Sequence, residues 1–88
     1  MRVLNLKGRY YTHHLEEISR NDDTIDFVFK SDAQYIRVSK NDDNSINFID
    51  PEGGPLISIG YKIDGMEVVA IKYVADKGYV LTMRDYII

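Results

Sequence analysis

The sequence predicts an all-β fold, an antiparallel β-meander of seven or eight strands forming a small barrel or sandwich. Three observations carry that prediction. Apolar residues alternate with polar ones at period two along most of the chain, the pattern of strands with one buried face. Clusters of Asn, Asp, Gly and Pro punctuate the alternation about every ten residues. Where one turn is tight enough to fix the register, apolar residues fall opposite one another.

Taken in order, Val3-Leu4-Asn5-Leu6 is a short apolar opening that LysGly at 7–8 interrupts. Residues 13–19 admit two readings. As a helical turn, Thr12 caps it, Glu16 and Glu17 lie near its positive end, and Leu15 and Ile18 share a face at i, i+3. As a strand, the stretch continues from Tyr10 to Ser19. The helical reading would make the fold α+β with one short helix, and the strand reading keeps it all-β.

After the AsnAspAsp turn at 21–23, Ile25, Phe27 and Phe29 alternate inward, followed by Ile36 and Val38 beyond SerAspAla at 31–33. AsnAspAspAsn at 41–44 precedes Ile46 and Phe48, and AspProGluGlyGly at 50–54 precedes Ile57, Ile59, Tyr61 and Ile63. The expected core is these residues with Val68 and Leu81.

Asp64-Gly65 reads as a two-residue type I′ hairpin, because Gly tolerates positive φ freely and Asp better than most side chains. Ile63 then faces Met66, Tyr61 faces Val68 and Ile59 faces Ala70, while Lys62 meets Glu67 on the solvated side. Continued along 67–74, that register puts Val69, Ile71 and Tyr73 on the outer face beside Ser58 and Gly60. A four-residue AlaAspLysGly loop adds Val80 opposite Tyr73. The result is a second apolar face, covered either by 3–6 and 86–88 of the same chain or by another protein or a second copy. A three-residue AlaAspLys loop with Gly78 in a bulge would instead flip the last strand and shrink the patch.

With 88 residues, the chain is expected to be a single small β domain over 1–88. There is no cysteine, which removes disulfides, thiolate metal sites and cysteine nucleophiles and fits a reducing, cytoplasmic setting. The start has too few apolar residues before Lys7 for a signal peptide, and no run is long enough for a membrane helix. The net charge of −3 disfavours nucleic acid as a partner.

Both histidines stand in ThrHisHisLeuGluGlu, 12–17. In a strand, His14 and Glu16 share one face and His13, Leu15 and Glu17 the other, so the histidines point apart. In a helix, His13 and Glu17 form one pair, short of the three protein ligands of a catalytic zinc site. No metal or other cofactor is implied. The acidic turns group Asp22, Asp23, Asp42, Asp43 and Asp64 at one pole if the strands run simply up and down, but none follows the calcium-loop pattern. No GxSxG, phosphate loop or HExxH occurs, so an enzyme is not expected.

The expected function, motivated by the absence of any chemical constellation together with the second apolar face, is a non-catalytic protein-interaction module, an accessory or inhibitor protein of a phage or other mobile element. Its contact candidates are Val69, Ile71, Tyr73 and Val80, for a protein partner or a homodimer. The alternative is a small-barrel nucleic-acid binder using Tyr35, Arg37, Lys40, Lys62 and Arg84, stacking aromatics beside cations.

Overall fold

The computed structural model describes residues 2–7, 12–31, 37–42, 46–49 and 56–86, and the regular structure among them is entirely strand. No helix there is long and apolar enough to cross a membrane. Nine strands follow in order: β1 (Val3–Lys7), β2 (Thr12–Arg20), β3 (Thr24–Ser31), β4 (Arg37–Lys40), β5 (Ile46–Ile49), β6 (Leu56–Ile57), β7 (Lys62–Ile63), β8 (Met66–Val74) and β9 (Gly78–Asp85). Tyr10, Tyr35, Ile36, Asp43, Ile87, Ile88 and the turn at 50–54 lie outside the described residues.

The strands form three consecutive antiparallel meanders, β1-β2-β3, β4-β5-β6 and β7-β8-β9. Antiparallel pairing of β3 with β9 joins the first and last into one six-stranded sheet, ordered β1-β2-β3-β9-β8-β7. That sheet curls until its two edges nearly meet as a barrel. Arg2, just before β1, donates from Nη2 to the Asp64 carbonyl of the β7–β8 hairpin at 3.3 Å. The middle meander forms a separate three-stranded sheet, with β5 lying against β8.

Residues 13–19 are strand. Extended backbone sends His13 and Leu15 inward, where both are buried, and gives β2 a partner on each side, β1 and β3. A helical turn would have relied on Leu15 and Ile18, but Ile18 is the extra residue of a β-bulge and is exposed. The bulge brings Ser19 opposite Asp26, whose Oδ2 accepts a hydrogen bond from Ser19 Oγ at 3.1 Å.

The Asp64-Gly65 hairpin has the expected register, Ile63 opposite Met66 and Lys62 opposite Glu67, with φ of 51° and 74° at its two turn residues. Beyond it the expected strand over 57–63 divides. Gly60 adopts φ of 96°, the Tyr61 amide donates to the Ser58 carbonyl at 3.0 Å, and the chain turns there. Hydrogen bonds from Val68 N to Tyr61 O and from Gly60 N to Val68 O end the pairing, so Ile59 does not face Ala70. Ile59 is consequently half exposed rather than core, and Ile57 reaches the core from the other sheet.

A second bulge, at Val69, corrects the expected face of β8. Val68 pairs with Met83, but the next opposed pairs are Ala70 with Thr82 and Ile71 with Leu81, so the inward face switches from even to odd positions. A regular ladder would have aimed Ala70 and Lys72 inward. The bulge buries Ile71 in place of Ala70, three more carbons at roughly 0.8 kcal/mol per CH₂, and keeps the Lys72 ammonium in water.

The β8–β9 loop takes the three-residue form. Lys77 N donates to Val74 O at 3.0 Å, Gly78 has φ of 94°, and Tyr73 lies opposite Tyr79 rather than Val80. A Cβ at Gly78 would meet no atom within 4 Å, so its conformation alone demands glycine. Gly78→Ala is therefore expected to lower stability by about 1–2 kcal/mol, the cost of holding an L-residue left-handed, without changing the spectrum of the folded state. Chemical denaturation with an unchanged slope would show this.

The core joins both sheets. Leu4, Leu6, Leu15, Ile25, Phe27, Met66, Val68, Ile71, Leu81 and Met83 come from the six-stranded sheet, and Phe48 and Ile57 from the small one. Phe29, Ile46, Tyr61 and Ile63 pack against that cluster while partly buried. Phe48 stacks on Phe29 at 4.4 Å between ring centroids and meets Tyr79 edge-on at 5.0 Å. Val38, expected in the core, is exposed because β4 is the outer strand of the small sheet.

Candidate functional site

The most distinctive surface among the described residues arises where the small sheet overhangs the large one. Across β4 and β5, Val38 lies opposite Phe48 and Lys40 opposite Ile46, so alternation sends all four toward the six-stranded sheet. Phe48 reaches the core. Val38 and Lys40 fall beyond its rim and, with Ser39 and the partly buried Ile46, line a groove of about 260 Å³ whose other wall is Tyr73 and Tyr79. Tyr73 is 61% exposed and Val38 42%, and the two tyrosine rings meet edge to face at 5.2 Å. The groove is aromatic and aliphatic, with one ammonium at its margin.

The four residues expected to share an outer face do not do so. Tyr73 lines the groove, Ile71 is core, Val69 is the half-buried bulge residue, and Val80 is buried opposite Lys72 and Val28 on the other side of the sheet. The Val69 bulge and the three-residue loop together cause this redistribution. Tyr79, the missing half of the tyrosine pair, follows from the three-residue loop, since only that loop sets it opposite Tyr73.

The cations grouped for nucleic-acid binding are also dispersed. Lys40 lines the groove, whereas Arg37 points to the other face of β4. Lys62 lies at the other end of the sheet, 4.5 Å from the Tyr86 ring centroid, and Arg84 pairs with Glu67 at 3.5 Å. Tyr35 is outside the described residues.

At that other end, Asp22, Asp23, Glu67, Arg84, Asp85 and Tyr86 surround an open cavity of about 570 Å³. Asp64 is nearby, because the Tyr86 amide donates to Gly65 O at 2.7 Å. Asp42 does not join this pole as expected. It lies two residues beyond Lys40, which with Ile46 faces Tyr73 and Tyr79 near the β8–β9 loop.

His13 and His14 point to opposite faces of β2. His13 is buried with its ring stacked on Phe29 at 5.7 Å, whereas His14 Nδ1 lies 2.7 Å from Asn5 Oδ1 on the outer face. Among the described residues no group of three or more histidines and carboxylates is placed to hold a metal ion. Buried side-chain polar atoms there all have partners.

Glu17 ends the inward series of β2. Arg20 donates to it twice, from Nε to Oε2 at 2.8 Å and from Nη2 to Oε1 at 2.9 Å, and the Arg2 amide approaches Oε1 at 3.3 Å. The Arg20 hydrogen bonds, then its charge, hold the Glu17 carboxyl below its ordinary value of 4.5 and raise Arg20 above its own. A carboxyl with a depressed folded-state pKa stabilises the fold above its unfolded value, and that contribution disappears as pH falls through the folded one. Glu17→Gln is therefore expected to melt below the native chain at pH 7 and to converge with it in acid, below pH 4.5. Thermal melts across that range check it; a gap that persisted unchanged in acid would contradict the assignment.

Comparison with protein-family models, with characterised proteins and with solved structures finds no match.

Proposed function

We propose that this chain is a non-catalytic, cytoplasmic protein-interaction module, of the accessory or inhibitor type, and that its contact surface is the groove between β4 and the β8–β9 hairpin. The observation that carries the reading is Tyr73, a large aromatic side chain standing exposed beside exposed Val38 in a groove with apolar walls. Contact surfaces concentrate binding energy in such aromatic anchors, with Arg and Tyr prominent.

The groove also sets the scale of what enters it. At about 260 Å³ it lies below the roughly 300–1,000 Å³ typical of small-molecule sites, and suits one or two side chains of a partner. A second copy of the chain is one such partner.

Selection of a random dodecapeptide library displayed on phage, run in parallel on the native chain and on Tyr73→Ala, tests this. Sequences enriched on the native chain and lost on the variant are the expected result. Enrichment that is indifferent to Tyr73, or none at all, would contradict the assignment of the groove.

A further inference from the structure

Charge and strand geometry around the groove specify the kind of segment it accepts. Lys40 lines it, Arg37 precedes Val38 on β4, Lys72 precedes Tyr73 on β8, and Lys77 lies in the loop after β8; all four are exposed. The ion pairs among the described residues are Arg20 with Glu17, Lys30 with Glu16, and Arg84 with Glu67, so none of these four cations is neutralised by a described residue. Exposed carboxylates on the same side are Asp42 and Asp76. Among the described residues this end therefore carries more cations than carboxylates within a chain of net charge −3, while Asp22, Asp23, Asp64 and Asp85 occupy the other.

Strand geometry supplies the second constraint. β4 is an outer strand whose neighbour in the described sheet is β5 alone. The far edge of such a strand is a template for one more strand. A segment added there alternates its side chains between two faces, one shared with Val38 and Lys40 and the other with Arg37 and Ser39. The first face puts a side chain at the groove.

From these we infer that the groove binds an extended acidic segment of a partner protein, which pairs with the edge of β4 and inserts an aromatic or aliphatic side chain between Val38 and Tyr73. Its Asp and Glu residues meet Lys40 on the groove side of the added strand and Arg37 on its other face, with Lys77 in the loop beyond Tyr73. The inference rests on the reading of the groove as a protein-contact surface. A nucleic-acid strand fits less well. Arg37 and Lys40 point to opposite faces of β4, and Lys72 and Tyr73 to opposite faces of β8, so the cations form no single track for successive phosphates.

The test is fluorescence anisotropy at low salt with three labelled probes: a dodecapeptide of three Glu-Val-Glu-Phe repeats, the same peptide with Gln for every Glu, and a twelve-residue oligothymidylate. Exposed ion pairs contribute about 0.2–1 kcal/mol each, so two or three of them amount to roughly a tenfold preference for the acidic peptide over its Gln form. The double variant Arg37→Glu, Lys40→Glu is expected to abolish that preference, and Tyr73→Ala to weaken both peptides. All three positions are exposed, and circular dichroism checks that the variants fold.

Equal, Tyr73-dependent binding of the two peptides would overturn the acidic specificity while leaving the groove as a contact surface. Tyr73-dependent binding of the oligonucleotide without either peptide would overturn the inference in favour of nucleic acid. Failure of all three probes would overturn the acidic segment, and the library selection then decides independently whether the groove binds protein.

Discussion

Replacing Phe48 with alanine is expected to cost about 3–5 kcal/mol, the range for truncating a fully buried aromatic residue. A domain of 88 residues has a total stability of roughly 4–13 kcal/mol, so the loss is about a quarter of it or more. The melting temperature should fall by about 12–40 °C. The reason is positional as well as volumetric. Phe48 is 1% exposed, stacks on Phe29 of the large sheet and meets Tyr79 edge-on, so it joins the β4–β6 sheet to the rest of the core.

Phe48→Leu keeps most of the apolar area but gives up two aromatic pairs worth about 0.5–1.5 kcal/mol each. It should therefore fall between alanine and the native chain. Amide exchange should show where the damage lies: in Phe48→Ala, β4 and β5 lose protection while β3 and β9 keep theirs. Uniform loss across both sheets would contradict the linking role.

The second large effect separates neighbours on one strand. Ile71→Lys is expected to destabilise by more than about 3 kcal/mol, since it removes a buried side chain opposite Leu81 and leaves an ammonium in the core. Val69→Lys should change stability by less than about 1 kcal/mol, because the bulge leaves Val69 out of the inward alternation. On a regular strand the two positions would face the same way and respond alike. Urea denaturation of the two single variants distinguishes the cases, and comparable losses would place both on one face and remove the bulge.

That pair of residues also shows how far the sequence alone can be read. Local turns were legible where one residue type has a conformational advantage. Asp64-Gly65 set the hairpin register, and Gly78 marked one of the two loop forms that AlaAspLysGly allowed. Strand periodicity likewise identified Ile25, Phe27, Phe48, Ile57, Val68 and Leu81 as buried.

The bulges at Ile18 and Val69 were not legible, because an extra residue leaves no local signal and is selected by what the opposite strand offers. Ile59 and Val38 show the same limit: each alternates correctly, but Gly60 turns the chain at one and the sheet ends at the other. The pairing of β3 with β9 joins residues more than fifty positions apart. Leu4, Leu15, Met66 and Met83 have core partners set by such tertiary pairing, which the local pattern does not specify. The groove followed the same rule. Tyr73 was visible as a contact candidate, whereas its assembly with Tyr79, Val38 and Ile46 required the small sheet to pack against the large one through β5 and β8.

Amide chemical-shift mapping of the isotope-labelled chain, titrated with the acidic dodecapeptide, tests the contact surface most directly. Perturbations should concentrate on β4, Ile46 and the stretch from Tyr73 to Tyr79. Shifts at Asp22, Asp23, Glu67 and Asp85 instead would contradict the assignment of this groove as the contact surface, and none as peptide is added would overturn the acidic segment.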